Sequence, residues 1–142
     1  LILDGLEDPH NLGAILRTAE AVQLSAIIMS KKGQVPLNAT VAKVSSGAIE
    51  HVKVILVSNI NQTIHQLQDK QVVVIGTDGQ TDLIYDDMPF ERSLAIVLGN
   101  EGQGIRPLVK QNCDLLVKIP MHGKINSLNV SVAAALMMYK MI

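Results

Sequence analysis

The stretch that most constrains this chain runs from Ile119 to Ala133, IPMHGKINSLNVSVA. An apolar run, Leu115 to Met121, gives way to a polar loop, and the loop feeds straight into an apolar segment that continues to Ile142. Pro120 has no N–H to give to a central ladder, so a strand is expected to end there. Gly123 and Asn126 suit tight turns. Asn126, Ser127 and Asn129 place amide and hydroxyl groups where the first N–H groups of a helix need partners. Helix capping accounts for part of this polarity. A ligand site at the junction accounts for it equally, and the residues alone leave both readings open.

Apolar runs alternate with helical patterns along the rest of the chain. Strands are expected at Leu1–Asp4, Ala26–Met29, Val52–Val57, Val72–Gly76, Leu94–Leu98 and Leu115–Ile119. Between the first two, Asp8-Pro9-His10-Asn11 reads as a turn and cap, followed by a helix with Leu12, Ile15, Leu16, Ala19 and Val22 on one face. Arg17 falls on the opposite, polar face. Further helices are expected at Thr40–Ser46, at Asn59–Asp69 with Ser58 or Asn59 as cap, at Ile105–Asn112, and at the C-terminus. Asp78–Arg92 is turn-rich and lacks a period. This alternation predicts parallel βαβ units: an α/β domain with a mostly parallel sheet of about six strands flanked by helices. With 142 residues and 48% hydrophobic but only 2% aromatic residues, the core must be aliphatic, as buried parallel sheets are. There is no domain boundary, internal repeat or low-complexity tract.

The composition also excludes. Cys113 is the only cysteine, so no internal disulfide and no cysteine-based metal cluster can form, which fits a reducing cytoplasm. His10 and His122 stand apart, without metal-ligand spacing, and no metal is expected. Leu128–Ile142 is apolar over 15 residues, but Asn129 and Lys140 interrupt it and it falls short of the roughly 18 of a membrane span. No secretory signal is visible. A formal net charge of −1 advertises no global field for nucleic acid, so any grip on RNA must come from a local patch or another domain.

Three loops follow strands: Asp4–Asn11, Gly99–Gly104 and Met121–Asn129. Ligands on parallel sheets gather beyond the carboxyl ends of strands, so these loops are candidates to converge. Gly99-Asn100-Glu101-Gly102-Gln103-Gly104 has neither the dinucleotide fingerprint nor a P-loop lysine, so close backbone approach to an uncharged ring or ribose suits it better than phosphate cradling. No nucleophile elbow appears, and Ser127 has no histidine partner evident in the sequence.

The same three loops resemble the motifs of one family. DPHNLGAILRTA at 8–19, IVLGNEGQGI at 96–105 and IPMHGKINSLNVSVA at 119–133 are similar, in order and separation, to the three motifs of the SpoU (TrmH-like) branch of the SPOUT methyltransferases. The likeness spans essentially the whole chain. It implies a C-terminal trefoil knot, a homodimer, S-adenosylmethionine as cofactor, and methyl transfer to a ribose 2′-hydroxyl of RNA. By the same resemblance Asn11, Arg17, Glu101, Ser127 and Asn129 take the catalytic and polar positions. Gly99, Ile119, Leu128, Thr77, Asn100 and Met121 fall at the cofactor, Asn100 at a variable position.

Ser45–Val54, SSGAIEHVKV, resembles the branch that methylates guanosine of 23S ribosomal RNA more than the transfer-RNA branch. A tRNA ribose methyltransferase and a non-catalytic RNA-binding module of the same fold are the alternatives. Members of the ribosomal branch usually carry a small N-terminal RNA-binding domain, so residues 1–142 are expected to be the catalytic domain alone.

Overall fold

The computed structural model describes all 142 residues. Six strands, β1 (Ile2–Asp4), β2 (Ile27–Ser30), β3 (Val54–Val57), β4 (Val73–Thr77), β5 (Leu94–Gly99) and β6 (Leu115–Val117), alternate with five helices. These are α1 (Pro9–Ala21), α2 (Ala39–Val44), α3 (Ile60–Asp69), α4 (Pro107–Asn112) and α5 (Val130–Lys140). The strands form one sheet in the order β3-β2-β1-β5-β4-β6, and every pairing is parallel. The α/β architecture expected from the alternation is therefore the one observed.

Successive residues of a strand face opposite sides of a sheet, and here both sides are buried. Leu3, Ile75, Ile96 and Leu98 pack into a core with Leu12, Ile15 and Leu16 of α1 and Met137 and Met138 of α5. Their neighbours Ile2, Val74, Ala95 and Val97 pack on the other side with Ile60 and Ile64 of α3 and Val109 of α4. Complete burial of each leucine or isoleucine contributes roughly 1.5–3 kcal/mol. β3 is the exception: it lies at the sheet edge and leaves Ile55 and Leu56 exposed.

Most differences from the expected boundaries have local chemical causes. α2 starts at Ala39, because the Asn38 side chain accepts the N–H of Val41. Asn59, not Ser58, caps α3. α4 begins at Pro107 rather than Ile105, since proline is preorganised for the first helical position, and Ile105 turns into the core instead. The last strand stops at Val117, two residues before Ile119. α1 and α2 cross closely at Gly13, where an added Cβ would stand 2.6 Å from that of Val44. No helix is long and apolar enough to cross a membrane.

Candidate active site

The three strand-end loops do converge. β1 pairs with β5 so that Asp4 lies level with Gly99. The loop after β5 turns back at once: Asn100 and Gly104 exchange both backbone hydrogen bonds at 2.9 Å. That reversal brings the backbone of Gly104 and Ile105 against Gly99, so close that an ideal Cβ there would stand 2.0 Å from the Gly104 carbonyl carbon. Only glycine fits. A side chain at Gly99 would therefore enter the returning backbone rather than fill a ligand's approach path.

Asn100 shapes this loop. Its Oδ1 accepts the N–H groups of Gly102 and Gln103, at 2.9 and 3.1 Å, and its Nδ2 donates to the Gly5 carbonyl at 2.8 Å. Its side chain thus fastens the loop to the β1–α1 connection and has little left for a ligand. Beside it, the Glu101 carboxylate accepts the backbone N–H groups of Glu7 (3.0 Å) and Asp8 (2.7 Å) and lies 3.4 Å from Asn11 Nδ2. Partial burial pushes the Glu101 pKa up. The N–H of Asp8, its own N–H, that of Glu7 and the Asn11 amide together outweigh this and hold it below the ordinary 4.5. Glu101 is an ionised clamp on the entrance to α1.

Asn11 is nearly buried, at 7% exposure, and passes the connection on. Its Oδ1 accepts Asn129 Nδ2 at 3.2 Å. Asn129 also caps α5, its Oδ1 accepting the N–H of Ser131 at 2.8 Å and that of Val132 at 3.3 Å. Helix capping and site building, left open by the sequence, are therefore two uses of one side chain.

Beyond the ends of β4, β5 and β6 the loops that follow these three strands enclose a cleft of about 600 Å3. Thr77, Gly99, Asn100, Ile119, Met121 and Leu128, all expected at a cofactor, line it, and so do Glu101 and Ser127. Leu98, Val117 and Val130 add apolar wall. The volume lies within the roughly 300–1,000 Å3 of small-molecule sites. An apolar wall facing a glycine-rich backbone suits a flat heterocycle with a ribose better than a multiply charged group.

Arg17 is not in this group. It stands exposed on α1, with Nη1 donating to Ser46 Oγ at 3.3 Å across the α1–α2 junction. Six residues of helix separate it from Asn11, about 9 Å along the axis. Glu101 and Asn11 bond to each other and to the α1 entrance, not to Arg17. Sequence reasoning also missed Asp4. It is 1% exposed and holds Arg106 through the backbone N–H (2.9 Å), Nε (2.8 Å) and Nη2 (2.7 Å), which fixes the far end of the glycine loop. An aspartate closing an otherwise apolar run at Leu1–Leu3 was the available signal.

Known proteins share this arrangement. The SpoU rRNA Methylase family matches residues 1–139. A Staphylococcus aureus protein assigned to the TrmH family of tRNA/rRNA methyltransferases is 55% identical over 140 residues, which are 99% of this chain and 56% of that protein. The chain thus spans about half the length of the curated relatives it matches. Among solved structures, the SpoU methyltransferase AviRb of Streptomyces viridochromogenes, in complex with its cofactor AdoMet, superposes with a TM-score of 0.90 at 25% identity. It covers 99% of this chain and 57% of its own. An RNA 2′-O ribose methyltransferase superposes with a TM-score of 0.86 at 32% identity, over 99% of this chain and 55% of that one. These folds are consistent with the C-terminal trefoil knot. A match over nearly every residue, together with three strand-end loops bonded to one another beside one cleft, leads to one conclusion: the chain belongs to the SpoU rRNA methylase family.

Proposed function

We propose that this chain is the catalytic domain of an S-adenosylmethionine-dependent RNA ribose 2′-O-methyltransferase acting on a guanosine of 23S rRNA in the cytoplasm. The observation that carries the reading is the Glu101–Asn11–Asn129 chain of hydrogen bonds, which ties the three strand-end loops together beside the glycine-loop cleft that Glu101 lines. The AdoMet-bound AviRb structure and the ribose methyltransferase named above support the cofactor and the reaction class. The cleft fits such a cofactor: Leu98, Ile119, Leu128 and Val130 offer apolar wall, and Thr77 and the backbone from Gly99 to Gly104 the polar edge. When bound, S-adenosylmethionine supplies a methyl group already activated for displacement.

Position and proton removal are what the chain must add. Glu101, Asn11 and Asn129 hold the three loops in one geometry, and Ser127, exposed at the cleft wall, is placed to meet the nucleotide. Arg17 binds the RNA phosphate or the developing alkoxide. It acts there as a charge and a hydrogen-bond fork. The 2′-hydroxyl proton passes to phosphate or water as the oxygen–methyl bond forms.

The domain acts as a homodimer. Val132, Leu136 and Tyr139 repeat at helical spacing on the outer face of α5 and are 40–55% exposed, while Ala134, Met137 and Met138 are buried. A second copy would cover that stripe.

The reading is tested with tritiated S-adenosylmethionine and transcripts of 23S rRNA and of tRNA, followed by nuclease digestion. Label in 2′-O-methylguanosine from the rRNA is the expected result. Label only in tRNA selects the tRNA alternative, to which the Staphylococcus relative's description extends. Absence of S-adenosylhomocysteine binding in a titration would leave a non-catalytic module.

A further inference from the structure

The net charge of −1 conceals a division across the sheet. Between Glu20 and Glu50 the chain has no acidic residue and three lysines, Lys31, Lys32 and Lys43. All three are exposed, and none is paired with a carboxylate. From 78 to 91 the acidic residues Asp78, Asp82, Asp86, Asp87 and Glu91 occur with no basic residue in the sequence, but in the fold Asp78 pairs with Lys110 and Asp86 with Lys140. The first segment follows β2 and the second follows β4, on opposite sides of the central β1–β5 pair.

The lysines are tied to the cleft by backbone geometry. Leu3 is level with Met29 and Asp4 with Gly99, so Lys31 emerges level with Gly5. Two strand spacings, about 10 Å, separate it from the Gly99–Asn100 turn. The loop that bears Lys31 and Lys32 is anchored. Lys31 N–H donates to the Val57 carbonyl at 2.9 Å, Leu6 N–H to Gln34 Oε1 at 2.9 Å, and Val35 N–H to the Leu6 carbonyl at 2.7 Å. The residue after Leu6 is Glu7, whose N–H is held by Glu101. Lys43 lies on α2 and is linked through Ser46 to Arg17. Its carbonyl accepts Ser46 N–H at 3.1 Å, and the Ser46 hydroxyl accepts Arg17.

We propose that Lys31, Lys32 and Lys43 form the track for the RNA backbone, so that the single-stranded segment flanking the target nucleotide crosses the β1–β2 rim on its way to the cleft. This rests on the methyltransferase reading above and adds to it the direction from which the substrate enters.

The test compares three variants with the wild-type chain. Lys31→Gln/Lys32→Gln/Lys43→Gln removes the track. Lys53→Gln/Lys70→Gln/Arg92→Gln removes three charges from the opposite rim, where these residues precede β3, β4 and β5. Lys31→Arg/Lys32→Arg/Lys43→Arg keeps the charges. The probe is a fluorescein-labelled single-stranded oligoribonucleotide of mixed sequence, titrated over a range of salt. S-adenosylhomocysteine affinity and 23S rRNA methylation are measured alongside.

Three lost phosphate contacts should flatten the log–log salt slope by about 2 and lower affinity on the order of 100-fold at about 0.1 M salt. The arginine variant and the opposite-rim variant should bind like wild type. Equal binding by all proteins, equal losses in both glutamine variants, or no binding of the probe by wild type each overturn the track. The two readings fail separately. Wild-type methylation with an unchanged KM in the track variant removes the track alone, whereas track-dependent binding without methylation removes the reaction alone.

Discussion

Gly99→Ala should disable the cleft, although the added group is one methyl. Its Cβ would stand 2.0 Å from the Gly104 carbonyl carbon, 2.2 Å from Ile105 N and 2.4 Å from Gly104 O. All three are backbone atoms, so no rotamer change relieves the clash, and the Asn100–Gly104 reversal has to open. Overpacking of this kind costs about 1–3 kcal/mol. Losing one or both of the 2.9 Å hydrogen bonds of the reversal adds about 1 kcal/mol each. A total of about 2–5 kcal/mol corresponds to a fall in Tm of roughly 6–20 °C for a domain of this size. The displaced loop is one wall of the cleft, so S-adenosylhomocysteine affinity should fall roughly tenfold or more, about 1.4 kcal/mol. Gly102→Ala is the control. Its nearest neighbour would be Asn100 Oδ1 at 3.6 Å, an ordinary contact, and its stability should stay within about 0.5 kcal/mol of wild type. Thermal unfolding and calorimetric titration read both variants. A Gly99→Ala protein with wild-type Tm and wild-type affinity would refute the close-approach argument.

Arg17→Ala removes an exposed side chain with one hydrogen bond, so folding and cofactor affinity should survive. Single-turnover methylation should drop on the order of 10²–10³-fold, and near-wild-type turnover would take Arg17 out of the mechanism. Glu101 has a folded pKa below its ordinary 4.5, so its clamp stabilises the fold above that pH and the contribution is lost as pH falls through the lowered value. Acid unfolding monitored by circular dichroism should therefore be less steep below about pH 4.5 in Glu101→Gln, and an unchanged profile would contradict the clamp. Leu136→Glu places a charge in the exposed α5 stripe and should convert a dimer to monomer in sedimentation. A dimer that persists would locate the interface elsewhere.

Much of the fold was legible because the chain's apolar periods are clean. All six strands and five helices lie close to where alternation and caps placed them, and the shifts at Ala39 and Pro107 follow from one asparagine and one proline. The sheet order was not legible, since apolar runs say that strands are buried and not which strands are neighbours. Everything depending on that order stayed hidden. Asp4 bonds to a residue 102 positions away, and Glu101 holds the backbone of Glu7 and Asp8. Asn11 and Arg17 fall in one motif, but helical rise carries them apart. The basic rim was likewise invisible to a net charge, which sums over a surface that the fold divides.

The bond between Asn11 and Asn129 joins residues 118 positions apart, and the one between Asn11 and Glu101 spans 90. During synthesis the first loop leaves the ribosome long before either partner exists. The cleft cannot close until α5 has emerged from the exit tunnel, so a nascent chain is unable to hold its ligand and a truncated one never does. Contacts of such separation are slow to form, and until they do the unpaired strand edges of a half-made sheet are open to other chains. Ligand added during refolding should therefore accelerate only the late step in which α5 docks.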